Sequence, residues 1–143
     1  MKCLTLIRGL PGSGKSSLAE LMLGATVSAD DYFVVEGGYN FDPARLGLAH
    51  AACQVSTRLE LAAGRPVVVA NTFSQKWEIE PYLVIAKTFG ARLYVADLYD
   101  GGLTDLELFE RNVHGVPLEV ITTMRERWEH DWKAGNPLPP WER

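Results

Sequence analysis

Eight consecutive residues, Gly9-Leu10-Pro11-Gly12-Ser13-Gly14-Lys15-Ser16, fit the pattern G-x-x-x-x-G-K-[ST] without a gap. Glycines at these positions let the backbone curl so that successive N–H groups face one point, and a helix starting at Lys15 adds its positive end to the same place. Such an array suits phosphate oxygens. Lys15 has the reach for β- and γ-phosphates, and the Ser16 hydroxyl is the expected Mg²⁺ ligand. The expected ATP-binding segment is therefore Gly9, Leu10, Pro11, Gly12, Ser13, Gly14, Lys15, Ser16 and Ser17. A glycine-rich strand-to-helix turn with no ligand is the plainer reading, but strand, loop, helix and the Lys-Ser pair all fall where a phosphate cradle needs them.

Transferring a phosphoryl group to a hydroxyl requires a group that takes the acceptor's proton. Asp30-Asp31 follows a short apolar run and would lie at the carboxyl end of a sheet, where sites of α/β proteins form. One of the pair can act as that base or support Mg²⁺; either can equally cap a helix or turn. Spacing does not say which carboxylate points inward. Charge on the moving group also calls for a cation, and Arg111 stands just before the loop His114-Gly115-Val116-Pro117. Arg125 and Arg127 also qualify, although surface ion pairing suits them better. His50, flanked by apolar residues, reads as a packing histidine.

The elements that must carry these residues follow from pattern. Apolar β-rich runs alternate with helical ones, which predicts an α/β domain with a mainly parallel sheet of four or five strands. Strands are expected at Lys2–Ile7, Ala25–Ala29, Pro66–Ala70 and Arg92–Leu98. Helices are expected at Lys15–Leu23, Pro43–Ala63, Glu78–Phe89, from the Thr104 cap to Arg111 or Asn112, and at Leu118–Trp132. Val120, Ile121, Met124, Trp128 and Trp132 recur at helical spacing, as in a docking stripe. The tail Pro137-Leu138-Pro139-Pro140-Trp141 cannot continue a helix and is expected to drape over the surface.

At 143 residues the chain has the length of one ordinary domain, 1–143, and its 47% apolar content can fill a core. A formal net charge of −4 argues against an extended surface for duplex nucleic acid, though not against a local phosphate pocket. Cys3 and Cys53 lack metal-ligand spacing and read as buried thiols. No apolar run approaches the roughly 20 residues of a membrane span, so a cytoplasmic location without membrane contact is expected.

Several segments together resemble the polynucleotide 5′-hydroxyl kinase-like group of P-loop proteins. They are Arg8 to Ser16, Ser28-Ala29-Asp30-Asp31-Tyr32-Phe33, Tyr39-Asn40-Phe41-Asp42-Pro43, Ala49-His50-Ala51-Ala52-Cys53, Asn71-Thr72, and Arg111-Asn112-Val113-His114-Gly115-Val116-Pro117. They run in the family's order over nearly the whole chain. The resemblance implies a three-layer P-loop kinase fold with a C-terminal helical lid. It implies Asp30 as general base, with Lys15 and Ser16 serving ATP phosphates and Mg²⁺. Arg111 would belong to a lid shared with His114-Gly115-Val116-Pro117. Phe33 and Val34 stand where the phage kinases carry an arginine, so Phe33 is expected to meet the acceptor by apolar or stacking contact. Ala70 stands where an aspartate is common. The function expected is transfer of the γ-phosphate of ATP to a hydroxyl, on a nucleic-acid 5′ end, a small metabolite or a nucleoside. A nucleotide-binding module with little or no catalysis is the reading from another class.

Overall fold

The computed structural model describes residues 2–36 and 38–130. Four parallel strands form the central sheet in the order β2-β5-β1-β6, where β1 is Cys3–Gly9, β2 Ala25–Val27, β5 Val67–Asn71 and β6 Arg92–Tyr99. Two short strands, β3 (Val34–Val35) and β4 (Gly38–Tyr39), pair antiparallel in a separate ribbon. Five α-helices complete the described fold: α1 Lys15–Glu20, α2 Leu46–Ala62, α3 Lys76–Thr88, α4 Asp105–Arg111 and α5 Leu118–Arg127. Short 3-10 turns cover Ala29–Phe33 and Pro43–Arg45.

Both inner strands are buried along nearly their whole length, and β5 is apolar from Val67 to Ala70, because helices cover both their faces. Alternation along them sorts the side chains. Leu4, Leu6, Val67 and Val69 join Cys53, Leu61, Ile79, Tyr82 and Ile85 from α2 and α3 in the largest core cluster. Ile7, Val68 and Ala70 point the other way, onto Ala19, Leu18 and Met22 of the α1 region. A third cluster, Leu10, Leu108, Ile121 and Trp128, lies under α4 and α5. Each fully buried Leu or Ile contributes on the order of 1.5–3 kcal/mol. The α/β three-layer fold is as the sequence predicts, with four strands in the sheet.

The boundaries differ where local chemistry overrides periodicity. Helix α1 stops at Glu20 and is followed by a turn whose Gly24 has φ 116°, a conformation that excludes a continued helix. Ala29 leaves the second strand for the 3-10 turn because Ser28 and Asp31 form a reciprocal capping box. Thr104 caps α4 as expected, its side chain accepting from the Glu107 N–H. The last helix ends at Arg127, not at Trp132, because Trp128 takes an extended backbone and lays its ring 4.2 Å from the Arg8 guanidinium. Trp132 and the 137–141 tail lie outside the described residues. In the stripe on α5, Ile121 and Trp128 are buried, Met124 packs against them and Val120 stays exposed.

Candidate active site

All four strands of the sheet run parallel, so their carboxyl ends share one edge, and the phosphate loop, Asp30, Asn71 and Tyr99 gather there. In the loop, Gly12 has φ 81° and Gly14 φ 105°, conformations that favour glycine. A Cβ on Gly12 would lie 2.5 Å from the Leu108 carbonyl oxygen, so the end of α4 packs directly on the loop's backbone. The loop is braced from both sides: Gly9 N–H donates to Thr72 O (3.2 Å) and Leu10 N–H to Tyr99 O (2.8 Å). Phe73, just past Thr72, and Tyr99 both have positive φ, 47° and 49°, which costs each of these non-glycine residues about 1–3 kcal/mol.

The expected nucleotide-binding residues divide by role. Gly9, Leu10 and Ser13 spend their N–H groups inside the protein, the last on Leu10 O at 3.0 Å, and the Leu10 side chain is fully buried in the third cluster. Pro11 has no N–H. The donors left to face a ligand are Gly12, Gly14 and the first turn of α1, from Lys15 to Ser17. No side chain caps that helix end and no acidic residue occupies its first turn, which fits an anion there. The Ser13 hydroxyl is buried without a partner among the described residues, a further unsatisfied polar group in the loop. Ser16 and Ser17 are exposed. Donor set, open cap and spare hydroxyl suit a Mg²⁺–triphosphate, with Ser16 the residue that would hold the metal. Lys15 Nζ donates to Gly9 O (2.8 Å) and Leu10 O (3.2 Å), and burial lowers its pKa to about 8 while Asp30 raises it.

The carboxylate pair separates cleanly. Asp31 Oδ2 accepts from the Ser28 N–H at 3.0 Å and serves as a cap. Asp30 is half-exposed and turns its carboxylate to Tyr39, whose hydroxyl donates to Oδ1 at 2.9 Å, and to His114, whose Nε2 lies 3.6 Å from Oδ2. Asn71 fixes the base of this turn: its Oδ1 accepts from the Ala29 N–H at 2.8 Å and its Nδ2 points at Cys53 Sγ. Arg111 is exposed in the last turn of α4, near enough to Glu107 for its charge to be felt there.

The expectation for Phe33 is corrected, while Arg125 takes the ion-pairing role that the sequence favours for it. Phe33 does not face an acceptor; it is 3% exposed, and Tyr32, Tyr39 and Phe41 pack edge-on around it. Arg125 forms ion pairs with Asp100 and Asp105, whereas Arg127 donates to Ser74 Oγ. His50 is half-buried on α2. The sequence marks Tyr39 and Asn71 only as parts of the matching segments and gives no sign of their contacts. The polar residue ending the apolar run Val67–Ala70 was the signal that could have pointed to Asn71.

Comparison with known proteins identifies the family and the fold. A family model described as an AAA domain matches residues 4–129. NEDD4-binding protein 2 of Homo sapiens is 37% identical over 135 residues, a match that takes in 88% of this chain and 8% of that protein. A chain of the Pnkp1/Rnl/Hen1 RNA repair complex superposes with TM-score 0.69 at 19% identity, over 88% of this chain and 43% of that one. A gluconokinase from Sinorhizobium meliloti 1021 superposes with TM-score 0.55 at 20% identity, over 89% and 75%. At these identities the two structures establish a shared fold.

Proposed function

We propose, from the premise that this chain belongs to the AAA-domain family of P-loop, polynucleotide kinase-like proteins, that it transfers the γ-phosphate of ATP to a hydroxyl acceptor. The observation that carries the reading is the division of the Asp30-Asp31 pair. Asp31 is spent on a cap, while Asp30 is half-exposed at the strand edge and close enough to Lys15 to favour its charged form.

In this reading Gly12, Gly14 and the first turn of α1 bind the phosphates, and Lys15 turns from the loop carbonyls to the β- and γ-oxygens. Ser16 would hold Mg²⁺, which would supply positive charge against the phosphates. Asp30 takes the proton of the acceptor hydroxyl as its oxygen forms a bond to the γ-phosphorus. The bond from that phosphorus to the β,γ-bridging oxygen breaks, and ADP leaves with the electron pair. Arg111 is free to approach the transferring group when α4 and the following segment close, adding charge stabilisation.

The acceptor divides into two classes. A nucleic-acid 5′-hydroxyl is favoured by the motif order; a small hydroxyl compound is favoured by the burial of Phe33 and the net charge of −4. Ala70 on β5, where an aspartate is common, supports the further reading of a binding module with little turnover. ATP labelled at the γ-phosphate should be offered with Mg²⁺ and separate panels of 5′-hydroxyl RNA and DNA, nucleosides and polyols. Label should move to one panel. Tight ATP binding with no label in any panel would leave the binding module as the account.

A further inference from the structure

We propose that Tyr39 and His114 are positioning residues for Asp30, and that His114 carries the position of the segment after α4 to the acceptor side of the site. The inference rests on the reading of Asp30 as the acceptor's base and asks what aims it. A half-exposed carboxylate on a 3-10 turn has little of its own to hold it, yet both its oxygens are addressed from distant elements. Tyr39, on the short strand β4, donates to Oδ1 at 2.9 Å. That strand is anchored through its pairing with β3, through the Asn40 N–H to Phe33 O (2.8 Å), and by the buried Phe33 ring beside Tyr39. Burial raises the Tyr39 phenol well above its ordinary pKa, and the bond to Asp30 adds to that, so the hydroxyl remains a donor.

His114 comes from the opposite side. Its ring stacks on Tyr39 at 4.2 Å and 32°, and its Nε2 stands 3.6 Å from Asp30 Oδ2, within ion-pair reach but longer than a hydrogen bond. Nδ1 is buried with no partner among the described residues, so the neutral ring's proton belongs on Nε2, facing the carboxylate. The backbone that holds His114 is not slack: Asn112 accepts from the Val116 N–H at 2.8 Å and donates to Phe109 O at 2.8 Å. The Asn112 N–H in turn donates to Leu108 O, the oxygen that rests on Gly12 of the phosphate loop. A continuous set of contacts thus joins the phosphate loop, the end of α4, His114 and Asp30. A small shift of residues 112–117 towards the site turns the 3.6 Å approach into a hydrogen bond and aims the free lone pair of Asp30 at the acceptor.

The test compares Tyr39→Phe, His114→Ala and His114→Gln, alone and combined with Asp30→Asn, using the acceptor that the parent labels. Tyr39→Phe and His114→Ala should each lower kcat about tenfold, the order expected for a misaimed base, with little change in ATP affinity. His114→Gln, which keeps a side-chain N–H donor, should recover most of the loss. Neither change should lower transfer further once Asp30 is Asn, because both act through that carboxylate. Thermal unfolding of each variant identifies any that fails to fold, and the two positions are independent routes to the same answer. Parental kcat in folded His114→Ala and Tyr39→Phe, or full additivity with Asp30→Asn, would overturn the inference and leave the kinase reading standing. If Asp30→Asn itself transfers at the parental rate, or the parent labels no acceptor, that reading fails and this inference fails with it.

Discussion

Burial penalises the charged form of Lys15 and lowers its pKa to about 8, with Asp30 pulling in the opposite direction. The sign matters. Because the fold disfavours the ammonium, this residue's contribution to stability grows as pH rises through about 8 towards the ordinary lysine value. ATP affinity moves the other way. A phosphate group is already fully ionised above its second pKa of about 6, so Lys15 sets the trend in the alkaline range. The Kd for Mg²⁺–ATP should be flat near neutral pH and weaken by up to about tenfold per pH unit above pH 8, since binding must then take up a proton. Lys15→Met should bind weakly with no such slope, as titration calorimetry can show. A parent curve flat to roughly pH 9.5 would mean that Lys15 does not meet the phosphates. At this scale the sequence was legible for the cradle, where one contiguous motif carries the geometry. It was silent on Asp30 against Asp31, since adjacent acids look alike until Ser28 takes one of them as a cap.

Helix α4 and the phosphate loop meet backbone to backbone, and Gly12 is where the contact can be tested. With φ 81° and a prospective Cβ 2.5 Å from Leu108 O, Gly12→Ala combines left-handed strain, about 1–2 kcal/mol, with a collision that must push α4 away. Gly14, at φ 105°, has nothing within 4 Å of a prospective Cβ, so an alanine there meets strain alone. Gly12→Ala should therefore melt several degrees below Gly14→Ala, although both impair ATP binding. Equal melting temperatures would show that α4 does not rest on the loop as described. Long elements such as α2 and the inner strands were legible because periodicity and burial agree over many residues. The β3–β4 ribbon was not, since two-residue strands carry no period, and it is the ribbon that delivers Tyr39. The end of α5 was misjudged for a different reason. Trp128 continues the helical spacing, yet it leaves the helix to cover Arg8, a buried cation that the sequence presents only as the residue before the loop.

Across the whole molecule, the parallel sheet brings to one edge groups that lie far apart in the chain. Phosphate loop, Asp30, Asn71 and the end of β6 come from four strands, while α4 and the segment after it supply Arg111 and His114. The buried Arg8 ties these layers together by donating to Phe73 O and Ser74 O and pairing with Asp97 on β6. The architecture was legible from alternation and the motif order; the convergence on Asp30 was not, because it depends on side-chain directions in short irregular segments. The central claim is that this edge moves a phosphoryl group to a hydroxyl with Asp30 as base. It is tested most directly by single-turnover transfer from γ-labelled ATP in the parent, Asp30→Asn and Asp31→Asn, with ATP affinity measured alongside. Asn preserves the shape of Asp30 but cannot take the proton, so Asp30→Asn should cut transfer by ~10²–10⁴ at unchanged ATP affinity. Asp31→Asn should only lower stability, by about 1 kcal/mol for a weakened cap. Transfer in Asp30→Asn within a few-fold of the parent would contradict the account.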